Sequence, residues 1–163
     1  MRESLFRGKR LDNGEWVSSG NLITFNDEGE GKQFFIPQMN AKCTCTHDEQ
    51  DNIISFDSGM FYKVDPDTVG QFTGLTDKNG KRVFEHDVIK HHFGDEIGVI
   101  RYGEYRNPFG DDSHGGHVGF YVDWVSGTEP GLLRKDLAYW MKIVDILGNI
   151  HDNPELLGGA GGG

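Results

Sequence analysis

Two groups of metal-ligating side chains stand out in the sequence. Cys43, Cys45 and His47 place two thiols and an imidazole close together, donor types that suit zinc. Their spacing works against them, because tetrahedral zinc sites usually pair ligands two to four residues apart and no fourth partner is adjacent. Asp111, Asp112, His114 and His117 share one glycine-rich connection, where two imidazoles separated by Gly115 and Gly116 could reach a single ion. That loop is the basis for reading the chain as a metal-dependent enzyme. No H-E-x-x-H motif fixes its geometry, however, and a solvated loop is the plainer reading. His91 and His92 fall on opposite faces if their segment is a strand, which separates them as ligands and leaves them as surface or barrel-rim residues. Asp48, Glu49 and Asp51 offer oxygens to a hard cation without the twelve-residue loop and terminal glutamate that would organise them. No serine sits in a G-x-S-x-G elbow, and the thiols lack the context of a cysteine nucleophile. GEGK at 29–32 and GDDSHGG at 110–116 lack the spacing of a phosphate-binding loop. The residues therefore assemble no complete catalytic set, no cofactor site and no complete metal site.

The elements that must carry these residues are short. The chain has 163 residues, of which only 36% are hydrophobic, yet aromatics reach 12%, so a modest core is set among many loops. Twenty-four glycines favour turns and short strands over long helices. Asn13-Gly14 lies between two short apolar-alternating runs within 4–25 and predicts a β-hairpin. Residues 26–32 read as a loop, and QFFIPQ at 33–38 as a strand stopped by Pro37. IISF at 53–56 and MFYKV at 60–64 also read as strands. DKNG at 77–80 marks a tight turn, followed by short strands on either side of a bend at Glu85, His86 and Asp87. EIGVIRYGEY at 96–105 and VGFYVDWV at 118–125 form a further strand pair. The C-terminal part predicts a strand over about 141–151 and then one helical turn begun by Pro154. Short strands at this spacing, with little helix between them, predict a small barrel. The expected organisation is one mainly β domain over 1–157, with a hairpin and extra strands in 1–63, a barrel-like core in 64–157, and a glycine-rich tail at 158–163.

Charge narrows the choice of partners. Sixteen Lys and Arg against 26 Asp and Glu give a formal charge of −10, which disfavours broad nucleic-acid binding. Trp16, Trp124, Trp140, Phe120 and Tyr121 could stack on single-stranded bases, but aromatics at strand spacing usually belong to a core. The first ten residues are locally basic, carrying Arg2, Arg7, Lys9 and Arg10 against Glu3. Such a strand pairs either with acidic groups of its own fold or with the acidic surface of a second copy, and the latter predicts a homo-oligomer. No run approaches the length of a membrane-spanning helix and no apolar signal core opens the chain, so a membrane role is not expected. Two cysteines one residue apart make no disulfide framework, and reduced thiols in the cytoplasm are expected.

Three blocks, LFRGKRLDNGEWV, VDPDTVGQFTGLTDKNGKRVFEHDVIK and ILGNIHDNPELL, occur in that order and strongly resemble the YopX family of phage and prophage proteins. The resemblance implies a β-rich chain with an SH3-like barrel and no assigned biochemical activity. It also marks two departures. Family members usually carry glycine in the middle of the E-G-D bend, where this chain has His86, and often tyrosine where Ser18 or Ser19 stands. A side chain at the bend is expected to strain it if the backbone there takes positive φ. These readings lead to an accessory protein acting as a non-enzymatic interaction or assembly module. Its expected partners are a second copy or a phage or host protein.

Overall fold

In a computed structural model the chain is mainly β. Residues 4–27, 29–38, 45–47, 49, 53–56, 61–108, 116–125 and 130–158 are described. The backbone divides into two compact units, Met1–Gln71 and Phe72–Gly163, whereas the sequence sets the expected division at 63/64.

In the first unit, β1 (Phe6–Lys9) and β2 (Trp16–Ser19) form the hairpin expected around Asn13-Gly14. Gly14 takes φ 73°, and its N–H donates to the Arg10 carbonyl at 2.9 Å. β3 (Ile23–Asp27), β4 (Gly31–Pro37) and β7 (Phe61–Val64) make an antiparallel sheet in the order β3-β4-β7. The expected loop over 26–32 is shorter: Gly29 and Glu30 lie in a turn, whereas Asn26, Asp27, Gly31 and Lys32 are strand residues. Asn26 pairs with Lys32 and Asp27 with Gly31, because polar side chains on a solvent-facing hairpin end do not oppose strand pairing. β5 (Cys45–His47) and β6 (Ile53–Phe56) pair with each other. Among the described residues Ile36, Val64 and Leu5 are buried hydrophobic side chains of this unit.

β8 (Gly70–Thr76) runs from the first unit into the second. Its later residues pair with β9 (Arg82–Phe84) through a bulge between Phe72 and Thr76. The intervening DKNG turn is built on Asp77, which is buried. One Asp77 carboxylate oxygen accepts the N–H groups of Asn79 and Lys81, both at 2.9 Å, and the other accepts that of Ile146 at 3.4 Å. β10 (Asp87–Lys90), β11 (Ile97–Tyr105), β12 (His117–Trp124) and β13 (Ile146–Asn149) complete a four-stranded antiparallel sheet, ordered β12-β11-β10-β13. Between β12 and β13 lies α1 (Leu137–Trp140), and α2 (Glu155–Gly158) follows Pro154 as the expected helical turn. The glycines after 158 lie outside the described residues. Among the described residues the strand pairings of this unit do not close into a ring, so the mainly β class holds without a closed barrel.

The core of the second unit gathers Val83, Ile89, Ile100, Val122, Trp124, Leu137, Trp140, Met141, Val144 and Ile146. Gly98 lies opposite Trp124 in the ladder, and a Cβ there would meet Val122 Cγ1 at 2.4 Å and the indole at 3.0 Å. A bare backbone at 98 thus makes room for Trp124. The strand expected over 141–151 is confined to 146–149. Trp140, Met141 and Val144 turn their side chains into the core from a helical turn, with the Val144 N–H on the Trp140 carbonyl at 3.0 Å. Burial of that apolar set outweighs the strand preference of Ile143 and Val144.

Asp77→Ala orphans three backbone donors and is expected to cost about 2 kcal/mol in chemical denaturation. Lys78→Ala removes only the surface ion pair with Asp145 and is expected to cost about 0.5 kcal/mol or less. Equal losses from the two substitutions would show that the turn does not depend on the buried carboxylate.

Candidate functional site

Among the described residues a connected set of aromatic and charged side chains lies on one face of the β11–β12 hairpin. Residues of the same parity share a face across an antiparallel ladder, and the register pairs Arg101 with Tyr121 and Tyr105 with His117. The Tyr105 and Tyr121 rings are stacked, with centroids 5.3 Å apart and planes 20° apart. His117 lies 5.3 Å from the Tyr105 ring, and Lys135 Nζ approaches the Tyr121 ring at 5.8 Å. The result is a row His117–Tyr105–Tyr121–Lys135. Both tyrosines are half-buried and His117 is exposed.

A polar network fixes this row to the segment before α1. Asp136 Oδ1 accepts the Tyr105 hydroxyl at 3.2 Å, and Oδ2 accepts Asn107 Nδ2 at 2.9 Å and Arg134 Nε. Asn107 Oδ1 in turn accepts the Lys135 N–H at 2.8 Å. The segment itself is pinned by Val122, whose N–H donates to the Lys135 carbonyl at 2.9 Å. The indoles of Trp124 and Trp140 both donate to the Arg134 carbonyl, at 2.9 and 2.7 Å. Arg134 lies over the exposed Tyr139 ring, 4.9 Å from its centroid, which extends the face to a third tyrosine.

The titration behaviour follows from these contacts. Burial pushes the Asp136 carboxyl up, but the bonds from Arg134, Asn107 and Tyr105 and the Arg134 charge outweigh it and hold it below its ordinary value. Burial, followed by the Asp136 charge and hydrogen bond, pushes the Tyr105 hydroxyl above its ordinary value, with Arg134 opposing. Both shifts lead away from neutrality. Asp136 stays ionised and Tyr105 stays protonated at pH 7, an arrangement suited to rigid contact more than to proton transfer.

The residues singled out in the sequence are dispersed. His117 begins β12 and joins the aromatic row, while Asp111, Asp112 and His114 lie outside the described residues, as do Cys43, Asp48 and Asp51. Cys45 and His47 belong to β5, and Glu49 is exposed. Among the described residues no group of three or more His, Cys, Asp or Glu side chains could hold a metal ion. His91 and His92 do not separate onto opposite faces. The strand ends at Lys90, and beyond it their rings meet 4.9 Å apart, both against Trp140. Trp124 and Trp140 are core, and Trp16 lies under Arg7 and Lys9, 4.8 and 5.7 Å from its ring. Arg10 pairs with Asp12 and Glu15 and covers the Tyr62 ring at 4.2 Å. These basic strand residues have partners in their own unit. GEGK lies at the β3–β4 turn. His86 takes φ 72°, the positive value that makes a side chain costly at the bend.

A cleft of ≈ 550 Å³ beside β10 and β13 is lined by Lys78, Lys90, His92, Phe93, Ile143 and Leu147, among others. Its lysines are paired with Asp145 and Asp95, at 2.8 and 2.7 Å, so it presents no net attraction for either sign of charge. No described helix is long and apolar enough to cross a membrane.

The geometry defines a mainly β protein that carries, among its described residues, a braced row of aromatic and cationic side chains. Its family follows from the sequence match: the chain belongs to the YopX family, described as "YopX protein", which matches residues 5–158. No curated protein matches. A crystal structure of protein EF1440 from Enterococcus faecalis is similar, with 23% identity over 94% of this chain and 97% of that one and a TM-score of 0.43.

Asp136→Ala is expected to lower stability at pH 7 by about 1–2 kcal/mol, the loss being limited by partial exposure. The Asp136 pKa is lower in the folded chain, so its contribution is present above the unfolded value near 3.9 and is lost as pH falls through the folded value. The gap between wild type and variant should therefore narrow below about pH 4. A constant gap in melts from pH 7 to pH 3 would contradict the assigned role of the carboxylate.

Proposed function

We propose that this YopX-family chain is a non-enzymatic accessory protein of a phage or prophage, and that it acts by binding a macromolecular partner on the Tyr105–Tyr121 face. The observation that carries this reading is the row His117–Tyr105–Tyr121–Lys135, braced through the Tyr105–Asp136 hydrogen bond on a chain of formal charge −10. Aromatic rings braced by neighbours bring a large contact area at little entropic cost, and cations beside them supply orientation. The direction of both titration shifts favours contact over catalysis. A phage or host protein is the partner class this face suits, because general electrostatic attraction to a phosphate backbone is weak on an anionic chain. Two thiols one residue apart support a place in the cytoplasm of the bacterial host.

Capture from infected or induced cells tests the reading. Tagged wild type and Phe25→Ala, a change in the first unit, should retain the same specific proteins. Tyr121→Ala and Lys135→Glu should lose them by about tenfold or more while keeping a cooperative melt. Unchanged capture by both face variants would reject this surface as the binding site.

A further inference from the structure

His86 and His151 are sixty-five positions apart, yet His86 Nδ1 and His151 Nε2 approach to 3.1 Å, with ring centroids 5.0 Å apart and planes at 70°. A linear N–H···N bond of this length, with both ring axes along it, would set the centroids about 5.4 Å apart. The shorter separation means that the ring axes are bent off the N···N line. One ion held by both nitrogens at about 2.05 Å would see them at an angle of roughly 98°, and would draw the centroids to about 4.8 Å. The observed separation lies nearer the second arrangement than the first. An angle of that size falls between the tetragonal and tetrahedral preferences of the borderline divalent metals.

Both imidazoles are carried on fixed backbone. The His86 N–H donates to the Ile100 carbonyl at 2.8 Å, and its own carbonyl accepts the Ile150 N–H at 3.0 Å. These two bonds hold His86 at φ 72°, a strained conformation for a residue with a side chain. The His151 and Asp152 N–H groups both donate to Asn149 Oδ1 at 3.0 Å, and Asn149 Nδ2 donates to Asp152 Oδ2 at 2.7 Å. The two ring nitrogens are therefore placed before any ligand arrives, which lowers the ordering cost of binding. Both histidines are half-buried, within reach of ions from solvent.

We propose that His86 and His151 form a two-histidine site for a borderline divalent transition metal, coordinating through His86 Nδ1 and His151 Nε2. Copper(II) binds most tightly in this class, ahead of nickel and zinc, by the general order of divalent affinities. Among the described residues no third His, Cys, Asp or Glu side chain completes a group with the pair, so the affinity expected of two imidazoles is moderate. The site is separate from the aromatic face and does not depend on the partner-binding reading.

The test titrates chelator-treated full-length protein with Cu²⁺, using calorimetry and electron paramagnetic resonance. Wild type should bind one ion per chain with hyperfine coupling to imidazole nitrogens. His151→Ala should weaken binding by about 100-fold. His86→Gly should do the same while melting, without metal, no lower than wild type, because glycine accepts the positive φ without strain. Failure of wild type to bind stoichiometrically would overturn the proposal. So would undiminished binding by either variant, which would place the ion on other donors such as Cys43, Cys45 or His114.

Discussion

One backbone carbonyl organises the second unit. The Arg134 oxygen accepts the indole N–H groups of both Trp124 and Trp140, and these two side chains are 6% and 3% exposed. An indole N–H buried without a partner costs on the order of 1–3 kcal/mol, so the two donors together fix where residue 134 must lie. Once it lies there, the Lys135 carbonyl meets the Val122 N–H and Asp136 bridges to Tyr121. The chain can then enter α1 with Leu137 pointed into the core. The two Trp rings also pack edge to face, 5.0 Å apart, so the same contact closes the core and aligns the segment along β12.

The aromatic face is a consequence of that clamp. Arg134, Lys135 and Asp136 have no reason of their own to sit beside Tyr105 and Tyr121, from which they are separated by at least a dozen positions. They arrive there because the residue that leads them is held by two indoles. The polar network then completes itself, since Asp136 finds donors from three other residues and Asn107 caps the Lys135 N–H. An anionic chain thus acquires a local patch with two cations set against aromatic rings. The His86 bend is the other place where a long-range bond imposes its geometry, there on a backbone angle.

Much of the fold was legible because it rests on local chemistry. Asn13-Gly14 and Asp77 through Gly80 announce their turns through residues that tolerate positive φ or accept backbone N–H groups. The runs at 96–105 and 118–125 announce a hairpin through β-branched and aromatic content. The stretch 137–145 was not legible, because Ile143 and Val144 favour a strand and only the burial of Trp140, Met141 and Val144 on one side makes a helical turn the better solution. The site was legible only in part. Tyr121 and His117 stood out by residue type, whereas Tyr105, Asn107, Arg134, Lys135 and Asp136 belong to no motif. A signal did exist, since pairing 96–105 with 118–125 in register puts Tyr105 and Tyr121 on one face. No pattern of spacing connects that face to residues 134–136, because the connection is a hydrogen bond from two indoles to a main-chain oxygen.

Amide hydrogen exchange at Val122 tests this dependence most directly, because its N–H is donated to the Lys135 carbonyl and so reports whether the 134–136 segment is held against β12. In the wild type this amide should be protected to nearly the level of the core. In a Trp124→Phe/Trp140→Phe double variant, which keeps aromatic bulk but removes both indole donors, Val122 should exchange about 100-fold faster or more, while amides within the β11–β12 ladder keep their protection. Unchanged protection of Val122 in the double variant would contradict the claim that the shared carbonyl positions the face.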